Sequence, residues 1–179
     1  MSVRLRRLRE ADLPPLVRAR VEETESIAYP APSETEIESR MRDRVEHSGE
    51  FHAGEILMGI ESEGRLVGEI QARQPREGLP PGVFELGIGI FDEEDRNKGL
   101  GSDAIKQMVN NLFSEQGAHR VQATTDVDNA RMRRVLEGLG FRFEGVLRGF
   151  MPSSDGPRDY AIYAITMQDL EATPWIRTS

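Results

Sequence analysis

Arg96-Asn97-Lys98-Gly99-Leu100-Gly101-Ser102 gathers two cations, two glycines and a hydroxyl into one short stretch. It follows the apolar run Ile88-Gly89-Ile90-Phe91 and the acidic segment Asp92 to Asp95, and residues at helical spacing come after it. A strand that leads into a basic, glycine-rich loop opening a helix is suited to capture an anion. The first amides of a helix have no partners within it, and the positive end of the helix dipole faces the same volume. Glycine lets the backbone approach an anion closely and bend into a nest of N–H groups. Arg96 and Lys98 add positive charge, and a pyrophosphate is the natural guest. A plain helix start with solvated charges would explain Gly-x-Gly alone. The Arg-Asn-Lys before it and the helix after it favour anion binding.

Gly99-x-Gly101-x-x-Ala104 also has the spacing of a dinucleotide fingerprint, and Asp126 stands where its acidic residue could be. However, Asp92 to Lys98 separate the first glycine from its strand, and several elements precede that strand, whereas the fingerprint opens its fold. No Gly-Lys-Ser/Thr sequence is present, so a Walker phosphate loop is excluded. The three histidines, His47, His52 and His119, show no metal-ligand spacing and have no cysteine partners, so no metal is expected. Ser153 and Ser154 sit in a turn without a nucleophile motif, which argues against a serine hydrolase.

The elements that must position these groups can be read from periodicity. Val3 to Leu8 alternates like a strand. Asp12 is placed to cap a helix carrying Leu13, Leu16, Val17 and Val21, with Pro14 in its first turn. Tyr29-Pro30-Ala31-Pro32 breaks it, and Ser33 with Glu36 forms a capping box for a second helix to about Val45. Glu55 to Glu61 and Leu66 to Ala72 make a hairpin through Ser62-Glu63-Gly64. Val83 to Phe91 is a further strand. A helix over Gly101 to Gln116 has Ala104, Ile105, Met108, Val109, Leu112 and Phe113 on one face, with Gly117 as its stop. Val121, Ala123 and Thr125 alternate in a strand. Asp128 or Asn129 caps a helix with Met132, Val135, Leu136 and Leu139 on one side. Strands at Arg142 to Phe150 and Asp159 to Thr166 flank the turn Pro152 to Pro157. The tail through Trp175 has no clear period. Consecutive strands imply antiparallel pairing, so one α/β domain over residues 1–179 is expected, with a mixed, mostly antiparallel sheet flanked by helices.

Composition fits this. A chain of 179 residues, 37% hydrophobic and 30% charged, suits one soluble globular domain. No apolar run approaches the roughly 20 residues of a membrane helix, so no membrane association is expected. The first residues lack the apolar core of a secretory signal. The absence of cysteine excludes disulfides and a thiol nucleophile and suits the cytoplasm. A net charge of −8 disfavours nucleic acid as a partner.

Arg96-Asn97-Lys98-Gly99-Leu100-Gly101 resembles the acyl-CoA pyrophosphate motif of the GNAT superfamily of N-acyltransferases. The likeness continues through Asp128-Asn129-Ala130-Arg131-Met132 and Leu139-Gly140-Phe141-Arg142-Phe143-Glu144-Gly145-Val146, in the manner of the branch containing the ribosomal-protein N-terminal acetyltransferases. It is specific from about Val83 to Ile165. The resemblance implies a GNAT-like fold and an acetyl-CoA-dependent transfer to a primary amine, by direct attack of the amine on the thioester. The amine could belong to a protein N-terminus, an amino sugar, a polyamine or an amino acid.

By the same resemblance, Ile88, Gly89 and Ile90 offer backbone groups to the pantetheine arm, from a strand that often carries a bulge. Amides of Arg96, Asn97, Lys98, Gly99, Leu100, Gly101 and Ser102 hold the pyrophosphate. Asn129 contacts the pantetheine, and Arg131 or Arg134 approaches the adenosine phosphate. Glu85 stands where the family commonly places a carboxylate base, and an amide near Gly89 or Ile90 faces the developing oxyanion. The tyrosine or serine that relatives use as general acid is replaced here by Met132 and Leu136, so that role has no candidate. The acceptor groove is expected near Tyr29 to Pro32 and the turn near Pro152 to Pro157. The resemblance also allows a homodimer. A non-catalytic CoA-binding module is the competing expectation.

Overall fold

The computed structural model describes residues 2–25, 32–74, 78–172 and 175. Its elements are β1 (Val3–Arg6), α1 (Leu13–Glu25), α2 (Glu34–Glu46), β2 (Glu55–Ser62), β3 (Arg65–Arg73), β4 (Val83–Ile90), α3 (Leu100–Glu115), β5 (Arg120–Asp126), α4 (Ala130–Gly138), β6 (Arg142–Met151) and β7 (Arg158–Thr166). Short 3-10 turns add Glu10–Asp12, Glu93–Asp95 and Met167–Ala172. The strands form one sheet in the order β1-β2-β3-β4-β5-β7-β6. Every pair is antiparallel except β4 with β5.

Local signals build most of this. Ser33 Oγ accepts the Glu36 amide while Glu36 accepts the Ser33 amide, which closes the capping box on α2. Glu63 and Gly64 both have positive φ, at 52° and 79°, as a tight hairpin between twisted strands demands. Asp12 departs from expectation. It lies inside the turn before α1, and its carboxylate turns back to the Arg6 guanidinium and the Arg9 amide. An ion pair with a strand residue takes precedence there over capping α1.

The sheet has two covered faces. On one, α3 buries Leu100, Ala104, Ile105, Met108, Val109 and Leu112 against Ile70, Phe84, Leu86 and Val121, with Leu136 of α4 alongside. On the other, Leu13, Leu16 and Val17 of α1 meet Ile37, Met41 and Val45 of α2 and Leu57 of β2. Full burial of such a side chain is worth about 1.5–3 kcal/mol, so the six buried residues of α3 outweigh any single polar contact in fixing that helix. Leu100, its first residue, is 3% exposed and locks the helix start in place.

The feature that makes the site is a parting of strands. β3 and β4 run in one unbroken register from Arg73↔Glu85 to Gly68↔Ile90. The bulge expected on β4 is therefore absent from that pairing. Instead β4 pairs with β5 only from Val83↔Arg120 to Leu86↔Ala123 and then leaves it. Gly87 to Ile90 have a strand partner on one side only. Parallel strands diverging under sheet twist achieve what a bulge would have done.

Candidate active site

A cleft of about 900 Å³ opens where β4 and β5 separate. It brings together eleven of the expected residues: Glu85, Ile88, Gly89, Ile90, Arg96, Asn97, Gly99, Leu100, Gly101, Ser102 and Asn129. Lys98 does not line it, and Arg134 lines a neighbouring cleft of about 560 Å³ that shares Asn97, Ser102, Arg131 and Val135 with the first.

The loop before α3 is shaped as an anion nest. Asn97 has φ 65°, and Gly99, the residue capping α3, has φ 82° and ψ −4°. Alternating left-handed residues turn successive amides toward one side. Gly99 has no Cβ to strain at that φ. A Cβ built at Gly101 would meet only Ile88 Cδ1, at 3.7 Å, so Gly101 is not needed for packing. Its missing side chain instead keeps the helix start open. Asp95 holds the loop, with its carboxylate only 3% exposed. It accepts two hydrogen bonds from Arg65 at 2.8 and 2.7 Å, and Lys98 Nζ lies at 3.2 Å. These partners, Arg65 first, hold the Asp95 carboxyl below the usual carboxylate range. Arg96 donates at 3.4 Å to the carbonyls of Ile90 and Phe91. Both loop cations thus have partners within the loop and β4 for their head groups, while the first amides of α3 have none within the helix.

Acidic groups also line the cleft. Glu85 Oε1 accepts from Thr124 Oγ1 at 3.3 Å and lies 3.6 Å from the Arg73 guanidinium. Glu69, directly across from Gly89 in register, is 7% exposed and paired with Arg20 of α1. Its Oε2 is buried and has no hydrogen-bond partner among the described residues. Burial, the largest influence, pushes the Glu69 carboxyl above its usual range despite Arg20 and Arg44. Glu22, Glu23 and Asp126 complete the acidic lining. Tyr160 of β7 is the one phenol among the lining residues. Burial, followed by the nearby Asp126, pushes its hydroxyl up, so it keeps its proton at neutral pH.

Asn129 caps α4, its Oδ1 accepting from the Met132 amide at 3.1 Å, and its side-chain NH₂ has no partner among the described residues. Met132 is half-buried in the cleft wall and Leu136 is fully buried, and neither a thioether nor an alkyl side chain carries a proton to donate. Tyr29 to Ala31 lie outside the described residues. From the last two strands, Met151 and Tyr160 line the cleft; the turn Pro152 to Pro157 does not.

Sequence spacing did not reveal Asp95, Glu69, Tyr160 or Trp175. Glu69 left a faint signal, as a lone carboxylate in the apolar run Leu66 to Ala72. Nor did spacing show that Asp43, His47 and His52 cluster. The two imidazoles stack with centroids 3.6 Å apart and planes 7° from parallel. Ring-nitrogen lone pairs lie in the ring plane, so rings stacked this way cannot converge on one ion.

Residues 2–142 match the family model described as an acetyltransferase (GNAT) domain. The chain is 30% identical over 131 residues to YjcK of Bacillus subtilis, described as a probable N-acetyltransferase; the match covers 73% of this chain and 69% of YjcK. Another Bacillus subtilis relative, the uncharacterized N-acetyltransferase YoaA, is 38% identical over 81 residues, 45% of each chain. Among solved structures, RimJ of Mycobacterium smegmatis in complex with CoA-disulfide superposes with a TM-score of 0.76 at 22% identity, over 97% of this chain and 86% of RimJ. Spermidine N-acetyltransferase of Vibrio cholerae, in complex with CoA and spermine, gives 0.76 at 19% identity, over 93% and 96%. At those identities the likeness establishes the fold. The family model and YjcK establish more: the chain belongs to the GNAT acetyltransferases.

Proposed function

We propose that residues 1–179 form one domain that transfers the acetyl group of acetyl-CoA to a primary amine on a cationic acceptor in the cytoplasm. The observation that carries this reading is that one cleft holds together an amide nest, a set of carboxylates and the unpaired edge of β4. The nest fits a pyrophosphate and the free β4 backbone fits the amide-bearing arm between pyrophosphate and thioester. The two neighbours solved with CoA species, one also holding spermine, support the same assignment.

Acetyl-CoA supplies an activated acyl thioester, and the chain supplies the rest. A primary ammonium with a pKa near 10 is neutral in only on the order of one molecule in a thousand at pH 7, so a base is needed. Glu85 takes that proton. It lies four residues from Gly89, about 13 Å along the strand, so the proton reaches it through water. The amide near Gly89 or Ile90 donates to the oxygen on which charge develops. Tyr160 fills the role that Met132 and Leu136 leave open and returns a proton to the departing thiolate. Asn129 holds the arm with its NH₂.

The test is an acceptor screen with acetyl-CoA, following thiol release. Turnover is expected with cationic amines. Binding of CoA without acetylation of any amine in a broad panel would instead mark a CoA-binding module. Light scattering tests the homodimer separately.

A further inference from the structure

Direct attack of an ammonium on a thioester removes two protons from one nitrogen. The first leaves before attack, and Glu85 takes it through water. The second leaves after the N–C bond has formed, because a nitrogen newly bonded to the carbonyl carbon stays cationic until it does. No group named so far receives that second proton. The reacting carbonyl lies at the rung of Gly89, where an amide meets the developing charge. Glu69 of β3 is the register partner of Gly89, as Gln71 is of Gly87 and Arg73 of Glu85. Side chains alternate along a strand, so this row stands on the face opposite Ile70, Ala72 and Leu86, which pack under α3. Paired residues of neighbouring strands lie about 5 Å apart at Cα, against roughly 13 Å along β4 from Gly89 to Glu85. The rung is tight, since a Cβ at Gly68 would stand 2.2 Å from the Gly89 carbonyl oxygen. The space over it is open. A Cβ at Gly89 would meet nothing within 4 Å, whereas one at Gly87 would meet Gln71 Nε2 at 2.7 Å. Room over β4 therefore begins where Glu69 stands.

Glu69 lines the cleft and is 7% exposed, with one oxygen paired to Arg20 of α1. Its other oxygen, Oε2, is buried and has no hydrogen-bond partner among the described residues. A buried carboxylate oxygen without a donor is costly, and an N–H brought beside it removes that cost. We propose that Glu69 takes the second proton, from the acceptor nitrogen once it has bonded to the carbonyl carbon beside Gly89. This role rests on the acetyl-transfer reading above. In the step, the N–H bond breaks, its proton goes to Glu69 Oε2 and its electron pair stays on nitrogen. The C–S bond then breaks, and the thiolate leaves with the proton that Tyr160 returns. Glu69 gives its own proton to water when the amide product departs. The surroundings suit a base. Burial, the largest influence, makes Glu69 more basic than an ordinary carboxylate. Arg20 of α1 and Arg44 of α2 oppose burial, while Glu23 of α1 and Glu55 of β2 act with it.

The test uses the primary amine ranked first in the acceptor screen and its analogue with two fluorines on the carbon next to the amino carbon. Fluorine withdraws electrons and leaves that amine largely neutral at the assay pH. The first proton is then already gone, and the second still has to leave. Glu85→Gln should therefore regain most of its turnover with the fluorinated amine. Glu69→Gln should lose about a hundredfold in kcat with both amines, with CoA binding retained. Arg20→Gln breaks the same ion pair but keeps the carboxylate. It should stay active, with the acid limb of kcat for the fluorinated amine moved to higher pH, because loss of an adjacent cation raises the pKa of Glu69. Recovery of Glu69→Gln with the fluorinated amine, to the extent seen for Glu85→Gln, overturns the assignment of the second proton. Equal losses of kcat in Arg20→Gln and Glu69→Gln overturn it too, and leave Glu69 as the partner of Arg20 alone. If Glu69→Gln does not fold, an unmoved acid limb in Arg20→Gln overturns the role by itself. Absence of thiol release by the parent with every amine of the panel overturns the acetyl-transfer reading and this role with it.

Discussion

Glu85 is the residue on which the proposed chemistry is most exposed. Glu85→Gln keeps the shape of the side chain and removes the proton acceptor, so turnover should fall by about 100- to 10,000-fold while CoA binding holds. The deficit should shrink as pH rises, because more acceptor amine is then already neutral. A carboxylate that only attracts the acceptor would instead raise KM and leave saturated turnover nearly unchanged. Steady-state rates over a pH series separate the two, and an unchanged maximal rate throughout removes Glu85 as base. Asn129 allows a second test at this scale. Asn129→Asp keeps the oxygen that caps α4 and loses the NH₂. Weaker CoA binding at unchanged melting temperature is expected; parent-like binding would leave the NH₂ without a role. Tyr160→Phe should slow turnover without weakening CoA, and most strongly where thiolate departure limits the rate. The resemblance pointed to Glu85 and Asn129, and both line the cleft. Glu69, Tyr160 and Asp95 were not legible in sequence, because their surroundings come from elements far away in the chain: Arg20 for Glu69, Asp126 for Tyr160, Arg65 for Asp95.

Among elements, the loop from Asp92 into α3 concentrates most of the expected site in the fewest residues. Its first residues set the amides, its buried Leu100 fixes them to the core, and Asp95 ties it to β3. Gly101→Val should fold, since the site has room for a Cβ, yet it should lose most of the CoA-induced melting shift. At a hundredfold excess over Kd that shift corresponds to about 2.7 kcal/mol in the parent. Equal shifts in variant and parent would disprove the nest. Asp95 makes the loop pH-sensitive in a definite direction. Its carboxyl is held below the ordinary value of 3.8 by Arg65, so its contribution is fully present above that value. That contribution is lost as pH falls through the lower folded value. Asp95→Asn should abolish the part of the acid-limb loss of CoA affinity that comes from the loop, which a pH series of CoA titrations would show. The helix and its glycines could be read from sequence because capping and amphipathic spacing are local. The bulge could not, because whether β4 bulges or parts from β5 depends on pairing between strands separated by all of α3.

Across the whole molecule, charged side chains from distant elements are gathered around one cleft. Arg131 of α4 lines it and Lys106 and Arg134 line the adjoining one, while Glu22, Glu23, Glu69, Glu85 and Asp126 line it beside Arg20 and Arg73. The order of strands and helices was legible in sequence, but this gathering was not. Insertion of β7 between β5 and β6 brings Tyr160 and Arg158 beside Asp126, and the pairing of Arg20 of α1 with Glu69 of β3 accompanies Glu22 and Glu23 in the same cleft wall. An acceptor with a second positive charge would meet carboxylates beyond the one that takes its proton. A diamine should therefore exceed the amino alcohol of equal length by about tenfold or more in kcat/KM, equivalent to about 1.4 kcal/mol. The preference should fall with added salt, since charges in a water-filled cleft are screened over about 10 Å at 0.1 M ionic strength. The measurement is kcat/KM for the two amines at two salt concentrations with saturating acetyl-CoA. A preference that salt does not touch would point to hydrogen bonding rather than charge. Equal kcat/KM at both concentrations would show that the acidic lining serves α1 and the sheet and takes no part in choosing the acceptor.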